Sequence, residues 1–261
     1  MTATPIIDCN ANLGNWPFRR TGYNTPDALI ERLARVNIER AWVTLLDAVM
    51  LKNVGAANPW LAEMVAGHDR LMPVGSINPT WPAWERDLAQ CADLGFRGVR
   101  VNPNYHGWTL AEPVFGELLA AAGETGMFVE VALHMTDERH HHPLVMVPPV
   151  AVSGLLGACA AHPSVPIVLA NVKNAPASQL ACEAAGKLPD NLYFELSHFE
   201  SVGGVQALAQ ELGVQRILFG THAPYFYPES SVLKVFRECD FSDADLAAIT
   251  HQNAERLLAN L

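Results

Sequence analysis

The chain has 261 residues, of which 50% are hydrophobic and 17% are charged, with 18 Gly and 18 Pro. This composition excludes a disordered, collagen-like or coiled-coil protein. The formal net charge of −10 repels phosphate backbones, so we expect no nucleic-acid partner. No apolar run reaches the roughly 18 residues that span a bilayer. The start, MTATPIIDCN, lacks the features of a signal peptide, and the five cysteines form no CxxC pair. We therefore expect a cytoplasmic protein with reduced thiols and no membrane partner.

Short apolar runs alternate with helical patterns along the whole chain. The strand-like runs, rich in Val, Ile, Leu and Phe, cover about 6–12, 41–46, 71–77, 96–102, 127–134, 166–171, 192–197 and 216–220. The helical patterns cover about 25–36, 59–67, 84–94, 113–125, 150–161, 178–188, 202–212, 230–238 and 242–261. The last of these begins with a Ser-x-x-Asp cap at Ser242. No linker or change of composition marks a domain boundary.

Eight strand-then-helix units in a chain of this length predict a single-domain α/β protein, a (β/α)₈ TIM barrel over residues 1–261. A doubly wound open sheet is the competing fold. That fold calls for a Gly-rich phosphate turn after the first strand, which the stretch from Asp8 to Gly14 does not supply. Because barrels carry their chemistry at the carboxyl ends of the strands, the search for a site narrows to the loops that follow each strand.

Polar side chains stand on or directly after five of the predicted strands. Asp8, Asn10 and Asn12 alternate on the first strand and therefore share a face, either as a hydrogen-bonded polar layer or as substrate-facing groups. Arg100 on the fourth strand needs a partner inside a barrel, and Glu130 on the neighbouring strand is the predicted one. The other strand-end residues are Asn102, His134, Asn171, Lys173 and His222.

Two histidines at strand ends, His134 and His222, can divide general acid and base work because imidazole titrates near pH 6.5. The tract DERHHHP over 137–143 resembles a metal trap, but consecutive histidines point in different directions, which favours a solvated loop. Arg19 and Arg20 in the first loop are candidates for a carboxylate clamp or for a solvated pair.

Aromatic residues are concentrated in the same loops, which predicts a closed apolar pocket or a subunit interface, and with it a possible homodimer. They are Trp16, Phe18, Trp60, Trp81, Tyr105, Trp108, Tyr225, Phe226 and Tyr227. The candidate substrate-binding residues are Arg19, Arg20, Arg100, Asn102, Tyr105, His106, Trp108 and Lys173.

Four stretches carry a resemblance to a known family: IIDCNANLG at the start, His134 on strand five, LFGTHAP on strand eight and the closing NAERLL. The sequence resembles the amidohydrolase superfamily, in the branch that contains lactonases such as pyrone-dicarboxylate lactonase and decarboxylases such as aminocarboxymuconate-semialdehyde decarboxylase. The resemblance spans nearly the whole chain. It implies a small-molecule substrate and a metal site formed by an Asp-x-His-x-His strand, histidines on strands five and six, and an aspartate on strand eight.

This chain departs from that metal pattern at most positions. Asn10, Asn12 and Asn171 stand where the family has histidine, and His222 stands where it has aspartate. Zinc prefers neutral imidazole and anionic ligands, and an amide oxygen is a weak donor to it. The sequence therefore predicts no metal ligands and no cofactor, or at most a weakly held divalent ion such as zinc.

Lactonases of this branch work without a metal, and the resemblance implies the same route here. The hypothesis is a metal-independent, lactonase-like hydrolase of a small carboxylated, cyclic or aromatic compound, with His222 as base and His134 as acid. Asn10, Asn12 and Asn171 would stabilise an oxyanion, and Arg100, or Arg19 with Arg20, would hold the carboxylate. The alternatives are a metal-dependent hydrolase or decarboxylase with altered ligands, and a non-catalytic ligand-binding or scaffold barrel.

Overall fold

A computed structural model describes residues 4–137, 139 and 141–261 of the chain. Its strands are all parallel and follow one another in sequence order. Their bounds are β1 Ile7–Leu13, β2 Arg40–Leu45, β3 Leu71–Pro73, β4 Gly75–Ser76, β5 Gly98–Val101, β6 Phe128–Ala132, β7 Ile167–Ala170, β8 Leu192–Glu195 and β9 Ile217–Leu218. This sequential order is that of a barrel and differs from the reversing order of a doubly wound sheet.

The strands pair in two ladders, β1–β3 and β4–β9, and backbone hydrogen bonds link the two ladders at both seams. β3 and β4 are one predicted strand interrupted at Val74, whose N–H still donates to the carbonyl of Val43. At the other seam, Cys9 N donates to Phe219 O at 2.8 Å, and Ala11 forms a parallel bridge with Ala223. The predicted (β/α)₈ fold is confirmed.

Helices cover the outside of the strands. Their bounds are α1 Pro26–Ala34, α2 Asn58–Val65, α3 Trp84–Asp93, α4 Pro103–His106, α5 Pro113–Thr125, α6 Leu155–Ala161, α7 Asn174–Glu183, α8 Gly204–Leu212, α9 Pro228–Phe236, α10 Asp243–Ala247 and α11 Asn253–Ala259. The capping box expected at Ser242 is present, with Ser242 and Asp245 bonded reciprocally. No helix in this described part of the chain is long and apolar enough to cross a membrane.

Two elements differ from their predicted bounds. The predicted single helix over 242–261 is split by a π-helical turn, Ala248–Gln252, where Thr250 Oγ1 bonds back to the carbonyl of Leu246. The last strand ends at Leu218, short of the predicted Gly220, because the next backbone amide, Phe219 N, donates to the carbonyl of Ile249 instead of continuing a ladder. Two residues later, Thr221 N donates to the carboxylate of Asp8.

The barrel interior is layered along its axis. Near the amino ends of the strands, Trp42 stacks on Phe128 at 4.9 Å in an apolar cluster that Leu257 of α11 covers. Near the carboxyl ends, a second apolar cluster contains Trp16 and Tyr225. Polar side chains fill the level between them: Asp8, Asn10, Asn12, Thr44, Arg100, Glu130 and Glu195. All are nearly or fully buried, so each must find its partners within the layer.

Candidate active site

A cavity of about 520 Å³ opens at the carboxyl ends of the strands. Aromatic side chains form part of its walls, as the loop composition predicts, beside histidines and charged residues. The aromatic members are Trp16, Phe18, Tyr105, Tyr225 and Phe226. Trp16 makes edge contacts with Tyr105 at 5.9 Å and with Tyr225 at 5.7 Å. The cavity has the volume of a small-molecule site.

Two imidazoles, those of His134 and His198, line this cavity side by side. His134 follows β6 and His198 follows β8, and their ring centres are 5.6 Å apart. Nδ1 of His198 lies 3.1 Å from the hydroxyl oxygen of Ser197. Burial, reinforced by the neighbouring His222, holds the pKa of His198 well below its ordinary value. His198 is therefore a neutral imidazole at pH 7, and a neutral imidazole can accept a proton.

The structure places His222 below the cavity, where its side chain is fully buried. Its Nε2 donates to the carbonyl of Met135 at 2.9 Å, which leaves the lone pair on Nδ1. The ring stacks on Tyr225 at 4.7 Å. Burial lowers the pKa of His222 to about 3. The imidazole that the sequence proposes as the base is thus separated from the cavity, and His198 occupies the accessible position.

The two asparagines of β1 are held in place by Arg100. Its Nη2 donates to Asn10 Oδ1 at 2.7 Å and its Nη1 to Asn12 Oδ1 at 3.0 Å. The same guanidinium forms two hydrogen bonds with Glu130, at 2.7 and 3.0 Å, which confirms the predicted ion pair. Arg100 is 3% exposed and does not line the cavity described above, and its charge is balanced inside the protein by Glu130.

Amide N–H groups in this layer are also engaged. Asn10 Nδ2 donates to Asn171 Oδ1 and to Glu195 Oε2, both at 2.7 Å. Asn12 Nδ2 donates to the carbonyl of Ala223, and Asn171 Nδ2 to that of His134 at 2.5 Å. These three asparagines therefore form a polar layer beneath the cavity, and their amides support the groups above them.

Two further carboxylates complete the layer. Asp8 accepts from the backbone and hydroxyl of Thr221, and burial raises the pKa of Asp8 to about 6. Glu195 accepts from Ser197 and from the backbone N–H of Asn171, and burial raises its pKa to about 7. The charge of each of these two carboxyl groups therefore changes with pH near neutrality.

The donor set does not fit the divalent cation of the resemblance. The amide oxygens of Asn10 and Asn12 already accept from Arg100, and that of Asn171 accepts from Asn10. A guanidinium positive charge at this point also repels a metal ion. Within the described ranges, no three His, Cys, Asp or Glu side chains converge as a ligand set. Within the polar layer, the buried His222 Nδ1 has no hydrogen-bond partner among the described residues. One neutral nitrogen in the layer is too few for a zinc site.

The sequence-predicted substrate-binding residues divide among several places. Arg19, Tyr105 and Lys173 line the cavity. Arg20 lies in a separate depression formed by the first loop, and His106 lines a smaller cavity of about 240 Å³. Asn102 and Trp108 are buried and line none of these cavities.

The loop with the histidine tract reaches the cavity, although the sequence favoured a solvated loop. Asp137, Arg139, His141 and His142 line it, and the ring of His142 stacks on Phe18 at 6.0 Å. Asp137 pairs with Arg139 at 2.6 Å. Positions 138 and 140 of the tract lie outside the described residues.

Sequence reasoning missed His198, Ser197 and Glu195. Glu195 and Ser197 alternate at the end of β8, and His198 directly follows them in the stretch FELSHFE. Alternating polar side chains on a strand are the signal that identified Asp8 and Asn10. The alternation of Glu195 and Ser197 is the same signal and could have identified them.

Comparison with solved structures gives close likenesses of fold. A 2,6-dihydroxybenzoate decarboxylase complexed with 2,6-dihydroxybenzoate superposes with a TM-score of 0.78 at 18% identity, over 98% of this chain and 100% of that one. A dihydroxybenzoic acid decarboxylase from Polaromonas sp. with bound manganese and 2-nitroresorcinol gives 0.77 at 18%, over 98% and 97%. An uncharacterised TIM-barrel protein from Bordetella bronchiseptica gives 0.71 at 19%, over 98% and 99%. Comparison with curated protein sequences gives no match.

The sequence profile of the amidohydrolase family matches residues 7–259, which is nearly the whole chain. The match includes β1, the residues that line the cavity and the closing helix. The chain belongs to the amidohydrolase family.

Proposed function

We propose that the protein is a metal-independent hydrolase, lactonase-like, of a small carboxylated compound that is cyclic or aromatic. The observation that carries the proposal is the pair of imidazoles, His134 and His198, on the wall of one aromatic cavity. Two imidazoles at a ring separation of 5.6 Å can reach two atoms of one small substrate.

The cavity supports this class of substrate. Its volume of about 520 Å³ accommodates a compound with one or two rings, and its aromatic walls favour a planar body. Arg19 and Lys173 supply positive charge at the same cavity, and each can bind a carboxylate. The cavity also has two acidic side chains, Glu200 and Asp137, of which Asp137 is paired with Arg139.

The chemistry follows from the state of the imidazoles. His198 is neutral at pH 7 and takes a proton from a water molecule, whose oxygen attacks the ester carbonyl of the substrate. The carbon–oxygen bond to the leaving group breaks, and the leaving oxygen receives a proton from His134. Opening of a lactone gives one molecule with a new carboxylic acid and a new alcohol or enol, and water supplies the atoms that it gains. The proton taken by His198 balances the one given by His134.

The polar layer supports a reaction without a metal. The amide oxygens at the family's metal positions are bonded to Arg100 or to each other, so they are not free to coordinate an ion. The lactonases in the branch that the sequence resembles offer a precedent for hydrolysis on this barrel without a metal.

The test is a panel of carboxylated lactones and ring-hydroxylated benzoates, incubated with chelator-treated protein and analysed by mass spectrometry. Hydrolysis adds the mass of one water to the substrate. We expect His198→Asn and His134→Asn each to lower kcat/KM by about 10²–10⁴. His162→Asn is the matched control, because His162 ends α6 before β7 begins, at the opposite end of the barrel. Unchanged turnover in both active-site variants would refute the proposal.

Decarboxylation is the second candidate, and the structural neighbours favour it. Their names describe decarboxylases of dihydroxybenzoate and carboxyvanillate, and the same cavity charges would bind such acids. Loss of the mass of CO₂ in place of a gain of water would identify this reaction. Thermal stabilisation by panel members without turnover would instead identify a binding protein.

A further inference from the structure

The end of β8 holds a chain of hydrogen bonds that leads from the polar layer to the cavity. Glu195 is the last residue of the strand, and Ser197 and His198 follow it. Ser197 Oγ donates to Glu195 Oε2 at 2.9 Å and lies 3.1 Å from His198 Nδ1. All three side chains are buried, and among these three residues His198 and no other lines the cavity.

Above the pKa of Glu195, the protons in this chain are fixed by counting donors and acceptors. An ionised Glu195 only accepts, and it receives the backbone N–H of Ser197, the hydroxyl of Ser197, the amide of Asn10 and the backbone N–H of Asn171. A hydroxyl has one hydrogen, and that of Ser197 is given to Glu195. Ser197 Oγ can therefore only accept from His198, so the ring hydrogen of His198 is on Nδ1.

We propose that Ser197 and Glu195 are positioning residues that hold His198 as the Nδ1–H tautomer, so that its Nε2 lone pair is the base offered to the cavity. The inference rests on the proposed function, because it explains how one of the two imidazoles is prepared for proton transfer. When His198 accepts a proton, the carboxylate of Glu195, connected through Ser197, stabilises the imidazolium.

The ring of His198 is also fixed in orientation. It packs against Phe226 at 4.8 Å, against His222 at 5.0 Å and against His134 at 5.6 Å. Within the described ranges, the hydrogen-bond partner of the His198 ring is Ser197. Ser197 is therefore the group that distinguishes the two ring nitrogens of His198.

The first experiment reads the tautomer directly and needs no substrate. Protein labelled with ¹⁵N-histidine is studied by long-range ¹H–¹⁵N NMR at pH 8, above the pKa of Glu195, and His198→Asn assigns the resonances. We expect wild type to show a protonated Nδ1 and an unprotonated Nε2. Ser197→Ala should shift His198 to a mixture of tautomers, and Ser197→Thr, which keeps the hydroxyl, should restore the wild-type pattern.

Ser231→Ala is the matched control, since Ser231 is an equally buried hydroxyl on α9 with no hydrogen-bond partner among the described residues. It should leave the His198 signals unchanged. A wild-type His198 protonated on Nε2, or an unaltered tautomer in Ser197→Ala, would overturn the assignment. If Ser197→Ala does not fold, the wild-type spectrum alone decides between the two tautomers.

The second experiment uses whichever panel compound is turned over. Ser197→Ala should lower kcat about 10- to 100-fold with KM within twofold, because a mixture of tautomers offers less base without altering the cavity walls. If wild type shows the Nδ1–H tautomer but Ser197→Ala, with its mixture of tautomers, keeps the wild-type kcat, His198 is not the base. That result would refute the proposed function and not the hydrogen-bond chain. If wild type shows the Nε2–H tautomer but His198→Asn abolishes turnover, the hydrogen-bond chain alone is refuted.

Discussion

The buried ion pair of Arg100 and Glu130 makes the polar layer sensitive to a single substitution. The Arg100 guanidinium forms hydrogen bonds of 2.7 and 3.0 Å with Glu130, of 2.7 Å with Asn10 and of 3.0 Å with Asn12. Arg100→Met removes the charge and leaves the carboxylate of Glu130 fully buried without a cation. Breaking a buried pair in this way costs about 3–5 kcal/mol. Glu130→Gln leaves the opposite charge unpaired and should cost a similar amount.

The double variant Arg100→Met/Glu130→Gln leaves no buried charge unpaired. It should therefore be destabilised by less than the sum of the single variants, with a coupling free energy of about 2 kcal/mol. Urea unfolding monitored by tryptophan fluorescence measures the free energy of unfolding of the two single variants and of the double variant. Arg40→Met is the control, because Arg40 pairs with Glu255 on the surface and should cost less than about 1 kcal/mol. A cost for Arg100→Met as small as that of the control, or a double variant equal to the sum, would refute the reasoning.

Three further predictions follow from the layer and its surroundings. The raised pKa of Asp8 means that the folded protein binds a proton more readily than the unfolded chain, so between pH 4 and about 6 Asp8 lowers the free energy of unfolding by about 3 kcal/mol as pH rises. The lowered pKa of His222 makes the free energy of unfolding rise with pH over the same range. The effect of Asp8 is therefore measured as the difference in the free energy of unfolding in urea between wild type and Asp8→Asn. A difference that stays constant from pH 4 to about 6 would contradict the prediction. Elemental analysis of protein purified without chelator should find less than about 0.1 equivalent of Zn or Mn, because the amide oxygens are engaged; a stoichiometric, tightly held ion would contradict it. Gly220→Ala should destabilise the protein by about 1–3 kcal/mol because its Cβ would lie 2.3 Å from Glu195 Oε1, whereas Gly157→Ala on α6 meets no atom and should be neutral or stabilising in thermal unfolding.

The fold was accessible from the sequence because each strand-then-helix unit carries its own pattern. The buried strands are short apolar runs bounded by turn residues, and α5, Pro113–Thr125, begins at Pro113 and ends before Gly126, as helix signals predict. Tertiary contacts decided the departures. The last strand ends early because the amide of Phe219 donates to the carbonyl of Ile249 and that of Thr221 to the carboxylate of Asp8. No local pattern around residue 218 contains that information.

Part of the site was also accessible from the sequence. Alternation placed Asp8, Asn10 and Asn12 together, and the need of a buried Arg100 for a partner identified Glu130. The sequence could not predict which strand-end imidazole faces the cavity, because the chain leaves the extended conformation where the strand ends. His222 has a φ of 54°, in the left-handed region, so the alternation of the strand does not extend to its side chain.

The amides at the family's metal positions and the guanidinium of Arg100 depend on one another. An asparagine presents an oxygen acceptor and a two-hydrogen donor on one side-chain end, so Asn10 accepts from Arg100 while it donates to Asn171 and Glu195. A neutral imidazole has one donor and one acceptor, so a histidine at position 10 would leave one of these three groups without a partner. The amide at position 10 and the internal cation of Arg100 therefore depend on one another. Asn10 also donates to Glu195, and the hydrogen bonds from Glu195 to Ser197 and from Ser197 to His198 connect the polar layer to the cavity.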